Sequence, residues 1–138
     1  MLKIKVNDLD CKPSAAYDNA AGIDLRVAQD VFIQPGEIQK VSLGVSIQLD
    51  KDTAGLILPR SSCHGFVLTN CVGLIDPDYR GELFVKIRSV NNEPMFFPKG
   101  ERLAQLVVVP FVPGFTIVDK LDDNTLRGSK GGGSSGKQ

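Results

Sequence analysis

The sequence is poor in the residues that form disulfides and bind zinc. Its 138 residues include 3 cysteines, 1 histidine and no tryptophan. Cys11, Cys63 and Cys71 lack a C-x-x-C spacing, so neither a disulfide framework nor a structural zinc site is indicated. Cys63 precedes His64, but adjacent side chains rarely converge on one ion and no third ligand lies nearby. The sequence therefore disfavours both zinc catalysis and thiol catalysis.

The chain also lacks an excess charge and a long apolar run. Its 16 lysines and arginines balance 16 aspartates and glutamates, so no broad field would attract nucleic acid or an anionic membrane. No apolar stretch approaches the roughly 20 residues of a membrane-spanning helix. Residues 1–6 alternate like a strand and lack the apolar centre of a signal peptide. We therefore expect an intracellular (cytoplasmic) protein that binds neither nucleic acid nor membrane.

Short strand patterns fill most of the chain. Every odd position of residues 41–49 is apolar and every even one is small or polar, which is typical of a sheet with one buried face. A short helix is best placed after residues 59–62, where serine can cap a first turn. The spacing of strands and turns predicts an all-β sandwich, jelly roll or barrel. The predicted strands are residues 2–6, 23–27, 31–33, 41–49, 55–58, 66–68, 83–88, 103–109 and 115–118.

One predicted strand is apolar on both faces. Residues 107–109 are three consecutive valines, and residues 110–113 are rich in proline and phenylalanine. In a small domain such a strand is buried on both sides, against a second sheet or another subunit. We expect a subunit interface here.

The most informative segment is residues 70–83, Asn-Cys-Val-Gly-Leu-Ile-Asp-Pro-Asp-Tyr-Arg-Gly-Glu-Leu. Asp-Pro starts turns, and Gly81 allows the chain to leave one. Asp76 and Tyr79 are therefore predicted at the tip of a hairpin between two apolar strands. Polar residues also collect at ordinary turns, so the other segments of the chain must supply partners before a site is indicated.

The C-terminal residues differ in composition from the rest. Residues 127–138 read Arg-Gly-Ser-Lys-Gly-Gly-Gly-Ser-Ser-Gly-Lys-Gln, which taken alone is typical of a flexible linker. Alternatively, free backbone N–H groups could turn toward an anion while Arg127, Lys130 and Ser134 donate to phosphate oxygens. We divide the chain into an all-β core, residues 1–126, and a flexible arm, residues 127–138, that closes over the site.

Five segments follow one another in a recognisable order. They are Ala-Gly-Ile-Asp-Leu at 21–25, Pro-Arg-Ser-Ser at 59–62, the segment 70–83, Gly-Glu-Arg-Leu-Ala-Gln-Leu at 100–106 and the glycine-rich tail at 127–136. Together they resemble the five motifs of the trimeric dUTPases, the dUTP pyrophosphatases. The resemblance covers the chain from about residue 15 to its end. It implies an all-β, jelly-roll-like (β-clip) subunit and a homotrimer with shared active sites.

The resemblance implies hydrolysis of dUTP to dUMP and pyrophosphate, which limits uracil in DNA and supplies dUMP for dTMP synthesis. The reaction needs an aligned water, a base and neutralised oxygens on the leaving side. Asp76 matches the family's base, and orientation of the water should contribute at least as much as basicity. Mg²⁺ is the implied cofactor because it takes phosphate oxygens and waters. Asp24 matches an acidic residue that supports this metal, through water, or the site itself.

The resemblance also assigns the residues on the deoxyuridine side. Tyr79 matches a residue whose ring lies against the deoxyribose and leaves no room for a 2′-hydroxyl. Backbone groups around Asp76 recognise uracil in the family, with the Asn70 side chain assisting and Gly73 permitting close approach. Ile75 and Phe84 complete this predicted set.

On the phosphate side, Arg60, Ser61 and Ser62 match the segment that binds the phosphate chain. A serine-capped turn there would present N–H groups to an anion. Gln105 matches a further donor. Arg102 is expected to be structural, in an ion pair at the subunit contact.

The tail departs from the family at one functional position. The family pattern R-G-x-G-G-F-G-S-x-G keeps register with residues 127–136, with Arg127 and Ser134 as its substrate-binding residues, but Gly132 stands where the phenylalanine would cover uracil. Loss of a base–aromatic stack is worth about 1–3 kcal/mol. We therefore expect weaker closure of the arm, and a Gly132→Phe change should tighten dUTP binding.

Two alternatives stay open at this point. A dCTP deaminase of the same superfamily shares the A-G-x-D-L-R and R-S-S segments and would release ammonia from dCTP, although residues 78–81 and the tail favour the dUTPase. A nucleotide-binding regulatory protein with weak turnover would bind dUTP without hydrolysing it and would signal to a protein partner. The glycine at position 132 favours this second alternative.

Overall fold

The computed structural model describes residues 1–131 as an all-β chain with one short 3-10 helix. This confirms the predicted fold class. The strands are β1 (Lys3–Val6), β2 (Ser14–Ala15), β3 (Ile23–Arg26), β4 (Val31–Ile33), β5 (Ile38–Gln48), β6 (Thr53–Pro59), β7 (Phe66–Leu68), β8 (Gly73–Ile75), β9 (Glu82–Ser89), β10 (Met95–Phe97) and β11 (Arg102–Pro110); the 3-10 helix spans Leu9–Cys11.

The described strands form three antiparallel sheets around one core. The first sheet has the order β1-β5-β9-β7, the second has the order β2-β3-β11-β6-β8, and β4 pairs with β10 in a ribbon. A single cluster of buried apolar side chains draws on strands of all three sheets. The sheets therefore enclose a common interior, as the jelly-roll-like prediction requires.

Strand β5 shows how the apolar alternation builds this interior. All odd positions of residues 41–49 are buried, because successive side chains of a strand point to opposite faces. The pairing of β5 with β9 shifts register around Gly44, whose φ is +65°. A Cβ there would lie 2.7 Å from the Cβ and Sγ of the buried Cys11. Glycine is therefore required both by the backbone and by the neighbouring side chain.

Strand β11 and the chain after it are only partly covered. Leu103 and Leu106 are fully buried, whereas residues 107–109 are half-buried. Residues 111–131 form no strand or helix and are exposed, and Ile117 is 86% exposed. The predicted strand at 115–118 is therefore wrong, because this segment pairs with no strand in residues 1–131.

The short helix predicted after residues 59–62 is limited to a single turn, in which the Cys63 N–H donates to the Arg60 carbonyl over 3.1 Å. Strands β2, β8 and β10 span two or three residues each, too few for periodicity to identify them. No helix in residues 1–131 is long and apolar enough to cross a membrane.

Candidate active site

The loop that carries Asp76 crosses from one sheet to the other. Strand β8, before it, pairs with β6 in the second sheet, whereas β9, after it, pairs with β5 and β7 in the first sheet. The predicted hairpin is therefore wrong, since the two flanking strands are not partners. Paired strands lie about 5 Å apart, whereas a chain that changes sheet can leave a cleft.

A cavity of about 350 Å³ opens at this crossing, and we call it the loop cavity. Its lining residues are Ile57, Asn70, Val72, Gly73, Leu74, Ile75, Asp76, Tyr79, Leu83 and Phe84. The structure thus brings together the predicted residues Asn70, Gly73, Ile75, Asp76, Tyr79 and Phe84. Its lining is mainly apolar with a few polar groups, which is the usual character of a small-molecule site.

Asp76 is an exposed carboxylate on the wall of the loop cavity. Its backbone carbonyl accepts the Tyr79 N–H over 3.2 Å. This turn fixes the three-residue spacing and places the carboxylate and the phenol ring on the same cavity. A carboxylate in contact with solvent can accept a proton from a water held beside a ligand.

Asn70 is fixed by strand β9. Its Oδ1 accepts the backbone N–H of Lys86 over 3.0 Å. Because the carbonyl end of the amide is engaged in this way, the NH₂ end is the group that Asn70 offers to a ligand. A donor at this point matches a carbonyl oxygen of uracil, whereas it opposes the amino group of cytosine.

Two aromatic rings complete the loop cavity. The Tyr79 hydroxyl donates to the Glu82 carbonyl over 3.2 Å. The Phe84 ring lies 4.2 Å, measured to its centroid, from the Nζ of Lys40. This cation–π contact helps to fix the position of the Phe84 ring.

A second cavity of about 310 Å³ lies at the end of β6, and we call it the arginine cavity. Its lining residues are Ala16, Tyr17, Ala20, Ala21, Gly22, Asp24, Arg60, Ser61 and Gln105. Four of the predicted residues meet here, namely Asp24, Arg60, Ser61 and Gln105. The predicted residue Ser62 is exposed and lines neither cavity.

Asp24 is a buried carboxylate that binds two arginines. It is 6% exposed, and its Oδ1 accepts the Arg60 Nε–H over 3.0 Å while its Oδ2 accepts from the Arg102 Nη1 over 3.2 Å. Charge-assisted bonds to both oxygens offset the cost of burying the carboxylate. Arg102 was expected in an ion pair at the subunit contact, whereas its observed partner is Asp24 of its own chain. With Nε engaged, the two Nη groups of Arg60 are its remaining donors.

Gln105 connects three strands beside this ion pair. It lies opposite Asp24 on β3 and opposite Leu58 on β6, and its Nε2 donates to the Pro59 carbonyl over 2.9 Å. A Cβ on Gly22 would lie 2.1 Å from the Gln105 Oε1. The glutamine therefore fixes the backbone just before Arg60, and Gly22 leaves room for it.

The described start of the predicted arm, residues 127–131, lines neither cavity. Arg127 is exposed, its Nε donates to the Lys130 carbonyl, and it lines neither cavity of residues 1–131. The predicted residues Gly132 and Ser134 lie outside the described residues. The two cavities share no lining residue in the described chain. Within residues 1–131, one copy therefore carries the lining residues predicted from the sequence in two separate cavities.

Sequence reasoning missed part of the lining. Tyr17 borders the arginine cavity from an exposed loop, and no motif or periodicity marked it. Leu74 and Leu83 also line the loop cavity. They lie inside segment 70–83, where the strand pattern on either side of Asp76 could have identified them.

Comparison with known proteins identifies the family. The dUTPase family model matches residues 11–136. Deoxyuridine 5′-triphosphate nucleotidohydrolase from Hahella chejuensis (strain KCTC 2396) is 47% identical over 131 residues, covering 90% of this chain and 86% of that protein. The crystallised dUTPase of Staphylococcus bacteriophage 80alpha, a point mutant with dUpNHpp, superposes with a TM-score of 0.86 at 25% identity, covering 99% of each chain. A mutant dUTPase from phage phi11 of S. aureus, solved with a structural Mg(II) ion, has a TM-score of 0.80 at 22% identity, covering 88% of this chain and 99% of that one.

These matches confirm the predicted dUTP hydrolase and disfavour the deaminase. The chain belongs to the dUTPase family.

Proposed function

We propose that Asp76 is the base for hydrolysis of dUTP at the α-phosphorus. The proposal rests mainly on the observation that the Asp76 carboxylate shares one cavity with the Asn70 amide and the Tyr79 ring. A water oxygen forms a bond to the α-phosphorus, and the bond from that phosphorus to the α,β-bridging oxygen breaks. The proton of the water goes to Asp76, and the bridging oxygen leaves with pyrophosphate, so that dUMP is the other product.

The loop cavity selects the base and the sugar. The Asn70 NH₂ donates to a carbonyl oxygen of uracil, because its own carbonyl is engaged by the Lys86 N–H. Gly73 allows the backbone to approach the base, and Tyr79 lies against the deoxyribose. A cytosine amino group at the same point would face another donor, an unpaired arrangement that opposes binding.

The arginine cavity holds the triphosphate. The Nη groups of Arg60, the Ser61 hydroxyl and the backbone of the turn that follows provide donors to phosphate oxygens. Asp24 orients Arg60 through the 3.0 Å bond, and Gln105 orients the same turn through the Pro59 carbonyl. Ser62 would donate from the open side of this turn.

Mg²⁺ fits this site as an ion carried by the substrate. Among residues 1–131 no group of three or more His, Cys, Asp or Glu side chains could hold a metal, and both oxygens of Asp24 already accept from arginines. Mg²⁺ takes phosphate oxygens and retains waters, and it would supply neutralisation of the triphosphate charge when bound. Asp24 would reach such an ion through one of those waters.

A homotrimer brings the two cavities of different copies together. The cavities share no residue within one described chain, and the valines at 107–109 are half-buried. Phe115 and Ile117 expose 89% and 86% of their surface, which is unfavourable for apolar side chains unless another copy covers them. Residues 127–138 then form the arm that closes over a site built by neighbouring copies, with Arg127 and Ser134 donating to phosphate and Gly132 beside the uracil.

The proposal is tested by assaying the purified full chain with dUTP, dCTP, dTTP and UTP in Mg²⁺ and ¹⁸O-labelled water. We expect hydrolysis of dUTP alone among the four at low substrate concentration, with the label in dUMP. Label in pyrophosphate would contradict attack on the α-phosphorus, and ammonia released from dCTP would contradict the reaction class. Tight dUTP binding without turnover would favour the regulatory alternative.

A further inference from the structure

We infer that Gly81 is a specificity-determining residue for the sugar and that it acts through Tyr79. By lacking a side chain, Gly81 lets the Tyr79 ring lie against the backbone in the position where it meets the deoxyribose. The inference rests on the proposed function, in which Tyr79 excludes a 2′-hydroxyl.

The space above Gly81 is occupied by the phenol ring. An ideal Cβ at Gly81 would lie 2.4 Å from the Tyr79 Oη, 2.6 Å from Cζ and 3.0 Å from Cε2. Carbon atoms in ordinary contact are about 3.5–4.0 Å apart. A side chain at position 81 and the observed position of the ring therefore exclude each other.

The requirement for glycine here is spatial. The φ of Gly81 is not positive, so its backbone conformation is open to alanine. The obstacle to a Cβ is a side chain that is 37% exposed on the cavity wall. An alanine at position 81 is accommodated by swinging the Tyr79 ring away, at little cost to the fold.

A second contact fixes the same hydroxyl end of the ring. The Tyr79 hydroxyl donates to the Glu82 carbonyl over 3.2 Å. The Glu82 carboxylate in turn accepts from the Ser42 hydroxyl over 2.7 Å and from the Asn7 amide over 3.1 Å. Glu82 is thereby tied to β5 and to the chain after β1, and the ring is held between a fixed acceptor and the bare backbone of Gly81.

The consequence is a change in selectivity. A displaced ring opens space beside C2′ of the sugar, so that a ribonucleotide loses its steric penalty while the deoxyribonucleotide loses a packing surface. Asp76 follows β8 directly and accepts the Tyr79 backbone N–H, neither of which depends on the position of the ring, so catalysis of the remaining substrate persists.

The test is a comparison of kcat/KM for dUTP and UTP in the full chain and in Gly81→Ala. We expect the preference for dUTP over UTP to fall about 10–100-fold, the range for misfit by one small group in a pocket. Asp78→Ala, a change at an exposed residue of the same loop, is the matched control and should keep the wild-type preference. An unchanged preference in Gly81→Ala would overturn the inference.

A double-mutant cycle distinguishes the action of Gly81 through Tyr79 from a general loss of fold. Tyr79→Ala removes the ring, so adding Gly81→Ala to it should leave the dUTP/UTP preference unchanged. Independent, additive effects of the two substitutions would contradict action through Tyr79. A wild-type chain that fails to hydrolyse dUTP would instead refute the proposed function, so the two failures are distinguishable.

Discussion

The two cavities are built on different physical principles. The loop cavity lies where the chain changes sheet. Its shape and its few hydrogen-bond donors come from Asn70, Tyr79 and the backbone between them. The arginine cavity lies among β3, β6 and β11, where the buried carboxylate of Asp24 holds two guanidinium groups. The first can discriminate between similar bases and sugars, and the second can attract a phosphate chain of any nucleotide. The proposed function therefore divides selectivity and charge neutralisation between separate parts of one chain.

The largest expected effect is in the loop cavity. Asp76→Asn removes the base while keeping the size of the side chain, so kcat for dUTP should fall about 10²–10⁴-fold. The Kd for dUTP, measured by calorimetry, should change little. Asp78→Asn, two residues away, is the control and should retain turnover. Unchanged kcat in Asp76→Asn would remove this residue as the base.

A change in the arginine cavity should act on the phosphates and leave the nucleoside alone. Asp24→Asn weakens the hold on Arg60, and kcat/KM for dUTP should fall about 10–100-fold, the value of one hydrogen bond to a charged group. Affinity for deoxyuridine, which has no phosphates, should stay at the wild-type level. Equal losses for both ligands would show that the two cavities are not separate in function.

The same variant should also be less stable. Asp24 is buried, and its loss leaves two arginines without their carboxylate, so the free energy of unfolding should fall by about 1–3 kcal/mol. Arg102→Ala is the comparison, because it retains the Asp24–Arg60 pair. Its activity should remain closer to wild type than that of Asp24→Asn, and the reverse order would argue against Asp24 acting through Arg60.

A smaller effect is expected from reversing the polarity of one group in the loop cavity. Asn70→Asp keeps the acceptor for the Lys86 N–H and replaces the donor with a second acceptor. The Kd for dCTP divided by the Kd for dUTP should fall about 10-fold, because one hydrogen bond is exchanged for an unpaired group. Asn70→Ala should weaken dUTP binding without this shift. A wild-type ratio in Asn70→Asp would show that Asn70 does not read the base.

The smallest effect is expected outside both cavities. Lys99 lies 3.0 Å from Asp8 and lowers the pKa of that carboxyl below its usual 3.8. A depressed pKa in the folded state means that the pair stabilises the protein above the unfolded-state pKa and ceases to do so as pH falls through the folded value. The Tm difference between wild type and Asp8→Asn should therefore shrink below about pH 4, with dUTP turnover unchanged. A Tm difference that grows with acidification would contradict this assignment.

How much of the structure could be predicted from the sequence depended on how far apart in sequence the interacting residues lie. Residues 41–49 were predicted to alternate as they do, because period-two patterning is a local property. The short strands Val31–Ile33 and Phe66–Leu68 were located correctly as apolar runs between turn residues. The hairpin around Asp76 was wrong because strand pairing is decided by distant segments. Strand β8 joins β6, and β9 joins β5, and turn chemistry at Asp-Pro reports neither pairing.

The site residues show the same division. Motif order placed Asn70, Asp76 and Tyr79 together because they are close in sequence. The partners of Asp24 are 36 and 78 residues away, and the sequence offered no means of identifying two arginines as its contacts. These contacts depend on the pairing of β11 with β3 and with β6, which no local pattern reports.

The most direct test of the two-cavity account is complementation between Asp76→Asn and Arg60→Ala. Each variant alone should form trimers with little activity. When the two are co-expressed, sites that take Asp76 from one copy and Arg60 from another are restored, and random mixing predicts about one quarter of wild-type activity. Activity of the mixture no greater than the mean of the two variants would show that one copy supplies both residues to each site and would contradict the account.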